Sequence, residues 1–400
     1  MLVAAAVQAT HAQQGPAGYG PMPGPQAFPA SPLAGGQAAA GGGAYMDANG
    51  RPIILPAQYS APVDGGYGAC PPGYGDGLYA DFGGYSMPDQ VGPHYFDVSV
   101  ESVFLQNDDA LDGIGPLASI GAAGPTALDP SNGTGDYEAG WKIAARLDLG
   151  PLSVFEATYA GLYDIGFSQT INSVDVAPGG VDFQLFSPFS QFGVGTLIPG
   201  VDDGQTYSVT YDASLQSTEL SYRRYWVGNN PRISGTYLLG FRYTRLKETV
   251  TYDTVGLDTP VTTASASRLW QGDNELLGFQ LGGDGWIGLR QGLRFGIESK
   301  AGVYNNHYVF QNAAVTPGGA SDFSSVTKGD QVSFIGEANA SFVADILPSW
   351  SIRGGYQVLY MSSLAAVGST IDPTDYFATT VNTQGDALYH GFFGGLEYVW

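Results

Sequence analysis

From Tyr95 to the end of the chain, apolar and polar residues alternate with a period of two. Phe96, Val98, Val100 and Phe104 alternate with Asp97, Ser99 and Glu101. Such a pattern belongs to a strand with two unlike faces. Tyr137, Ala139, Trp141, Ile143, Ala145, Leu147 and Leu149 then alternate with Glu138, Lys142, Arg146 and Asp148. That run exceeds the usual length of a globular strand. Gly150-Pro151 reads as a tight turn. After it, Phe155, Ala157, Tyr159, Gly161 and Tyr163 oppose Glu156 and Thr158.

Six further strands follow. The first runs over about 206–227 and carries Leu220, Tyr222 and Trp226. The second sets Gly235, Tyr237, Leu239, Phe241 and Tyr243 against Arg242. The third includes Leu277, Phe279 and Leu281, and the fourth sets Phe295 and Ile297 against Arg294, Glu298 and Lys300. The fifth has Val332, Phe334 and Phe342 on one face and Glu337 on the other, and the sixth sets Ile352 and Tyr356 against Arg353. A last strand, Leu388 to Trp400, places His390, Phe392, Gly394, Leu396, Tyr398 and Trp400 on one face. Its other face holds Tyr389, Phe393, Gly395, Glu397 and Val399.

The connections between these strands alternate in length. Short turns fall at Gly150-Pro151, Asn229-Asn230-Pro231 and Pro348-Ser349; longer polar stretches include about 164–203, Asp253–Ala264, Asn312–Lys328 and Val367–Asp386. Alternation puts all long loops at one end, the layout of a transmembrane barrel with short periplasmic turns. The prediction is an all-β chain: an antiparallel up-and-down transmembrane β-barrel of about ten strands. Phe183, Leu185, Phe186, Phe189 and Phe192 could add a hairpin and raise the count to twelve. A soluble sandwich or barrel accounts for the alternation. It does not account for the strand lengths or for aromatic residues at the strand ends.

Three segments result. Residues 1–12 read as a signal-peptide remnant, apolar but lacking a basic flank. Residues 13–93 read as a disordered leader rich in Gly, Pro and Tyr, and 94–400 as the outer-membrane barrel. Composition agrees: 59 Gly, 25 Tyr, 20 Phe and only 13% charged residues. The net charge of −22 argues against nucleic acid as a partner. The lone cysteine, Cys70, rules out an intramolecular disulfide and a Cys-rich metal site. No apolar run reaches the length of a transmembrane helix.

Charges confined to the faces opposite the aromatics should point inward, because a lipid-facing charge is costly. The predicted lumen-facing set is Lys142, Arg146, Glu156, Arg242, Arg294, Glu298, Lys300, Glu337, Arg353 and Glu397. They could select ions by charge, or pair with one another and fill the barrel. Strict alternation sends one of the neighbours Arg223 and Arg224 outward; either Arg224 sits beyond the membrane band or a bulge intervenes. His390 falls on the lipid-facing parity. His307, with Asp322 as a conceivable partner at the outer rim, is the only feature that suggests a hydrolase. No cofactor and no metal ligand set is read, and no catalytic residue is assigned.

Several blocks resemble the β-barrel porin family of planctomycete bacteria, the seventh of that series. They are Leu239-Gly240-Phe241-Arg242-Tyr243 followed by Glu248; Asn274-Glu275-Leu276-Leu277-Gly278-Phe279; Lys300-Ala301-Gly302-Val303-Tyr304-Asn305-Asn306; Phe334-Ile335-Gly336-Glu337; Arg353-Gly354-Gly355-Tyr356; and Tyr389-His390-Gly391-Phe392. The resemblance implies an outer-membrane barrel called a porin by analogy and transfers no chemistry. The ending is similar to the sorting signal that barrel assembly machinery reads, with Gly395, Tyr398 and Trp400 in place and Phe393 departing from it. The expected partners are outer-membrane lipid, the assembly machinery and small solutes or ions; the expected location is the cell outer membrane. The expected function is a porin-like channel, with a structural or adhesive barrel of occluded lumen as the alternative.

Overall fold

A computed structural model describes residues 96–400 except 108–109, 112–113, 133–136, 151, 178, 180–181, 231, 260–261, 320–321, 373 and 400. The expected signal-peptide remnant at 1–12, the leader at 13–93 and Trp400 lie outside the described residues.

Ten long strands form a closed ring. They are β1 (Phe96–Asn107), β4 (Glu138–Gly150), β5 (Ser153–Asn172), β7 (Gly204–Val227), β8 (Ile233–Thr259), β9 (Thr262–Arg290), β10 (Leu293–Val315), β11 (Phe323–Leu347), β12 (Trp350–Leu364) and β13 (Gly385–Val399). Three short strands lie in the connections: β2 (Ala118–Ile120), β3 (Thr126–Leu128) and β6 (Leu185–Phe186). Every long strand pairs antiparallel with its chain neighbours in the ring, and β13 closes it onto β1 from Asp97↔Val399 to Asn107↔Tyr389. Closure leaves no unpaired edge, the condition a sheet must meet to cross lipid.

The two faces separate as the alternation predicts. Leu239, Phe241, Leu277, Phe279, Leu281, Ile297, Val303, Phe342 and Phe392 stand exposed on the outside. Inward neighbours such as Arg242, Gln280, Lys300 and Glu337 are buried. Aromatic pairs lace the apolar outside: Phe241 on Phe279 at 4.2 Å, Phe295 on Phe342 at 4.8 Å, Trp350 on Tyr398 at 4.8 Å. An apolar belt over a polar interior is the inverse of a soluble protein and the signature of a transmembrane barrel.

The short turns fall where expected, at the end that also holds the start of β1 and the end of β13. Two of the long loops do not exist as loops. The stretches Asp253–Ala264 and Asn312–Lys328 are mostly strand, and β8 and β9 pair up to Thr259↔Thr262 with one register shift between Leu257 and Thr259. The reason is visible in the residues. Above Tyr243 the outer face of β8 turns polar, through Arg245, Lys247, Thr249 and Thr251, while Leu246, Val250 and Tyr252 on the inner face stay buried. The lipid band ends near Tyr243, and the strands continue beyond it as a wall with a wet outside and an apolar inside. The stretch at 183–192 adds no barrel hairpin. It forms the two-residue β6 against β2 and buries Phe186 and Phe189.

Candidate functional site: a filled lumen

The inward charges meet. Within the lipid-crossing part of the barrel, Arg146 reaches Glu156 at 2.6 Å and Glu397 at 3.0 Å. Arg223 reaches Glu156 at 2.7 Å, Glu298 at 2.5 Å and Asp284 at 3.0 Å. Lys300 lies 3.0 Å from Glu219, 3.7 Å from Glu298 and 3.8 Å from Glu337. Arg242 binds Glu337 at 2.7 Å and Glu219 at 3.4 Å. Arg294 joins Glu397 to Asp345 at the short-turn rim. Glu101 takes Lys142 at 3.3 Å and Arg353 at 3.5 Å.

All ten predicted lumen residues therefore share one layer. Four further members escaped the prediction: Glu101, Glu219, Arg223 and Asp284. The signal was present in the parity. Glu219 and Arg223 share a face with Ser217 and Ser221, and Asp284 shares one with Gln280. The doubt over Arg223 and Arg224 resolves without a bulge. Arg223 points in and is buried, while Arg224 is exposed and pairs with Ser153, the first residue after a short turn.

The layer pairs nearly all of its charge. Lys142, Arg146, Arg223, Arg242, Arg294, Lys300 and Arg353 face Glu101, Glu156, Glu219, Asp284, Glu298, Glu337 and Glu397, with Asp345 as an eighth carboxylate at the rim. Buried charge is tolerated when it is paired and hydrogen-bonded. The space left between Lys142, Arg146, Glu156, Arg223, Glu298, Lys300 and Arg353 is a cavity of about 10 Å³, room for a single water. Gly395, read from the sequence as part of a sorting signal, has a packing role here. A Cβ on it would stand 2.1 Å from the Val100 carbonyl oxygen and 2.9 Å from the Glu101 side chain.

Above the charged layer the interior becomes apolar. Inward residues of the wall, Tyr207, Val209, Leu246, Val250, Tyr252, Trp270 and Phe310, pack against three inserted connections. Leu111, Ile114 and Leu117 come from the β1–β4 connection, Leu185, Phe189 and Val201 from β5–β7, and Val367, Ile371 and Tyr376 from β12–β13. Phe189 meets Tyr376 at 5.1 Å and Tyr252 at 6.1 Å. Asp202 holds its loop by accepting from the Ser187 amide, the Ser187 and Ser190 hydroxyls and the Ile198 amide. Arg268 lies between the Trp270 and Phe323 rings and donates to the Ala313 and Ala378 carbonyls. The charged layer occupies the lipid-crossing lumen and the apolar cap the mouth above it.

The remaining candidates fall outside the lumen. His307 pairs with Asp330 at 2.9 Å, not with Asp322, which caps Thr316. Both members are exposed on the outer face, above the lipid band. His390 keeps its lipid-side parity, with no shift of register at Gly391; Tyr356 and Gln106 satisfy it at 2.5 and 3.3 Å. Among the described residues no cluster of His, Cys, Asp and Glu suits a metal ion.

Three solved structures give a scale for the likeness. The outer membrane protease OmpT from Escherichia coli matches at 12% identity and a TM-score of 0.39, over 77% of this chain and 97% of its own. The translocator domain of the autotransporter NalP from Neisseria meningitidis matches at 11% and 0.30, over 78% and 90%. The P. putida toluene transporter TodX matches at 7% and 0.28, over 77% and 90%. Scores this low carry no argument, and the barrel is read from its own strand pairing. No curated protein matches the chain. The family that does match is the one its sequence blocks resemble: over residues 192–386, from the third connection to the start of β13, this chain matches the family described as Putative beta barrel porin-7 (BBP7).

Proposed function

We propose that this outer-membrane barrel is a closed scaffold, held in the cell outer membrane by its lipid-facing belt and presenting its outer wall and loops at the surface. One observation carries the reading. The lumen holds an ion-pair layer beneath an apolar cap, and the space between the charges admits about one water. A ten-stranded barrel is close to the size, about eight strands, at which side chains fill the interior. Opening it would strand buried charges that now satisfy one another, a cost of several kcal/mol for each ion.

The description of the matched family favours a second reading, a porin-like channel for ions or small solutes. In that case both layers must move aside together. Liposome swelling separates the two. Vesicles carrying the refolded protein should swell in small sugars no faster than empty vesicles, and rapid swelling would establish the channel. We assign no hydrolytic role. The terminal strand supplies the surface that the barrel assembly machinery would read.

A further inference from the structure

Within the apolar cap, one inserted segment is clasped by polar groups along its length. At the end of β12 the chain turns into the barrel mouth at Ser363, whose φ is +59°. The Ser363 carbonyl accepts from the Ser333 hydroxyl and the Gln331 amide. Asn274 grips Ala365 at both ends of its peptide, donating to its carbonyl at 3.2 Å and accepting from its amide at 2.9 Å. Gly272 lets the segment pass, since a Cβ there would stand 2.7 Å from the Ala365 oxygen. The last hold is Glu248, which accepts from the Val367 amide at 3.3 Å and from the Tyr211 hydroxyl at 3.0 Å.

Glu248 is an unusual seat. It is 2% exposed, above the lipid band, and is surrounded by neutral groups. Tyr211 faces it from β7 and Tyr389 from β13, while the segment itself offers only an amide. Arg242, the inward cation of the same strand, is engaged by Glu219 and Glu337, and Arg245 and Lys247 lie on the outer side of the wall. Among the described residues no Lys, Arg or His forms an ion pair with Glu248. A buried carboxyl without a cation is tolerated as the acid and penalised as the anion.

We propose that residues 363–371 form a strap over the barrel mouth, seated on Glu248 and released from it as the surrounding medium becomes alkaline. The inference rests on the closed barrel proposed above and adds that its outer layer is movable while the charged layer beneath it is not. Burial pushes the Glu248 carboxyl above the ordinary carboxylate value of 4.5, outweighing the Tyr211 hydroxyl and the Val367 amide, whose hydrogen bonds lower it. The seated state therefore binds the proton more tightly than the released state. Its advantage is complete at acid pH, declines as the pH rises past that ordinary value, and is spent once the seated carboxyl has ionised.

The test uses the full chain in liposomes, with Cys70→Ser and a nitroxide on Ser369→Cys, an exposed position of the strap. Between about pH 5 and pH 9 the mobile fraction of the label should rise roughly threefold or more, because a buried carboxyl without a cation loses its preference for the seat. E248Q keeps the shape without the titration and should hold the label immobile throughout. Gly272→Ala should free it at every pH. A label whose mobility is unchanged by pH in the Glu248 protein, or whose response persists in E248Q, overturns the proposal. If E248Q does not assemble, the Glu248 response and Gly272→Ala decide alone. Conductance recorded from the same vesicles keeps the two readings apart: strap motion without current supports both, and current without strap motion defeats both.

Discussion

At the scale of the residue, the chain depends on charges that cannot be removed singly. Arg223 bridges Glu156, Asp284 and Glu298, all within 3.0 Å. Arg223→Ala would leave three carboxylates facing one another in a dry interior. Breaking a buried pair from one side typically costs on the order of 3–5 kcal/mol, and that is the expected loss in urea unfolding followed by heat-modifiable gel mobility. Arg224, one position away and exposed near a short turn, should tolerate alanine with little change. The contrast was half visible in the sequence. Parity put Arg223 on the inward face with Ser217 and Ser221, yet nothing local named what it binds. Its partners across the barrel, Glu298 and Asp284, lie 75 and 61 residues away in the chain.

At the scale of the element, each long strand does two jobs along its length. On β8, Leu239 and Phe241 meet lipid, whereas Thr249 and Thr251 stand on the wall above it. Leu239→Arg should cost about 2–4 kcal/mol and Thr251→Arg about 0–1, because the penalty for charge follows depth in the bilayer. The same unfolding assay measures both. The lipid-crossing halves of the strands were legible from alternation alone. The upper halves were not. Between Asp253 and Ala264 both faces carry small or polar residues, and the apolar partners of the inner face are the inserted loops rather than the strand's own neighbours. The terminal element was read correctly as the closing strand, since Tyr398 pairs with both Val98 and Trp350. Removing Tyr398 to Trp400 should therefore block assembly. A chain without them that still shows heat-modifiable mobility in membranes would contradict that role.

At the scale of the whole molecule, the filling follows from size and composition together. A ten-stranded ring is too narrow for a wide aqueous channel. The chain supplies one layer of paired charge where lipid surrounds the barrel and one apolar layer where the wall rises above it. The sequence disclosed the charges and their inward direction but not their mutual distances, so selection of ions and closure by pairing both stayed open in it. Pairing within 4 Å favours closure. The same division explains why the strap can move without opening a path, because the charged layer below it has no part in its seat. Planar-bilayer recording of the refolded full chain tests this account most directly. It predicts a baseline without steady steps at every voltage short of membrane breakdown, in low salt and high salt alike; stable, repeatable open levels would contradict it.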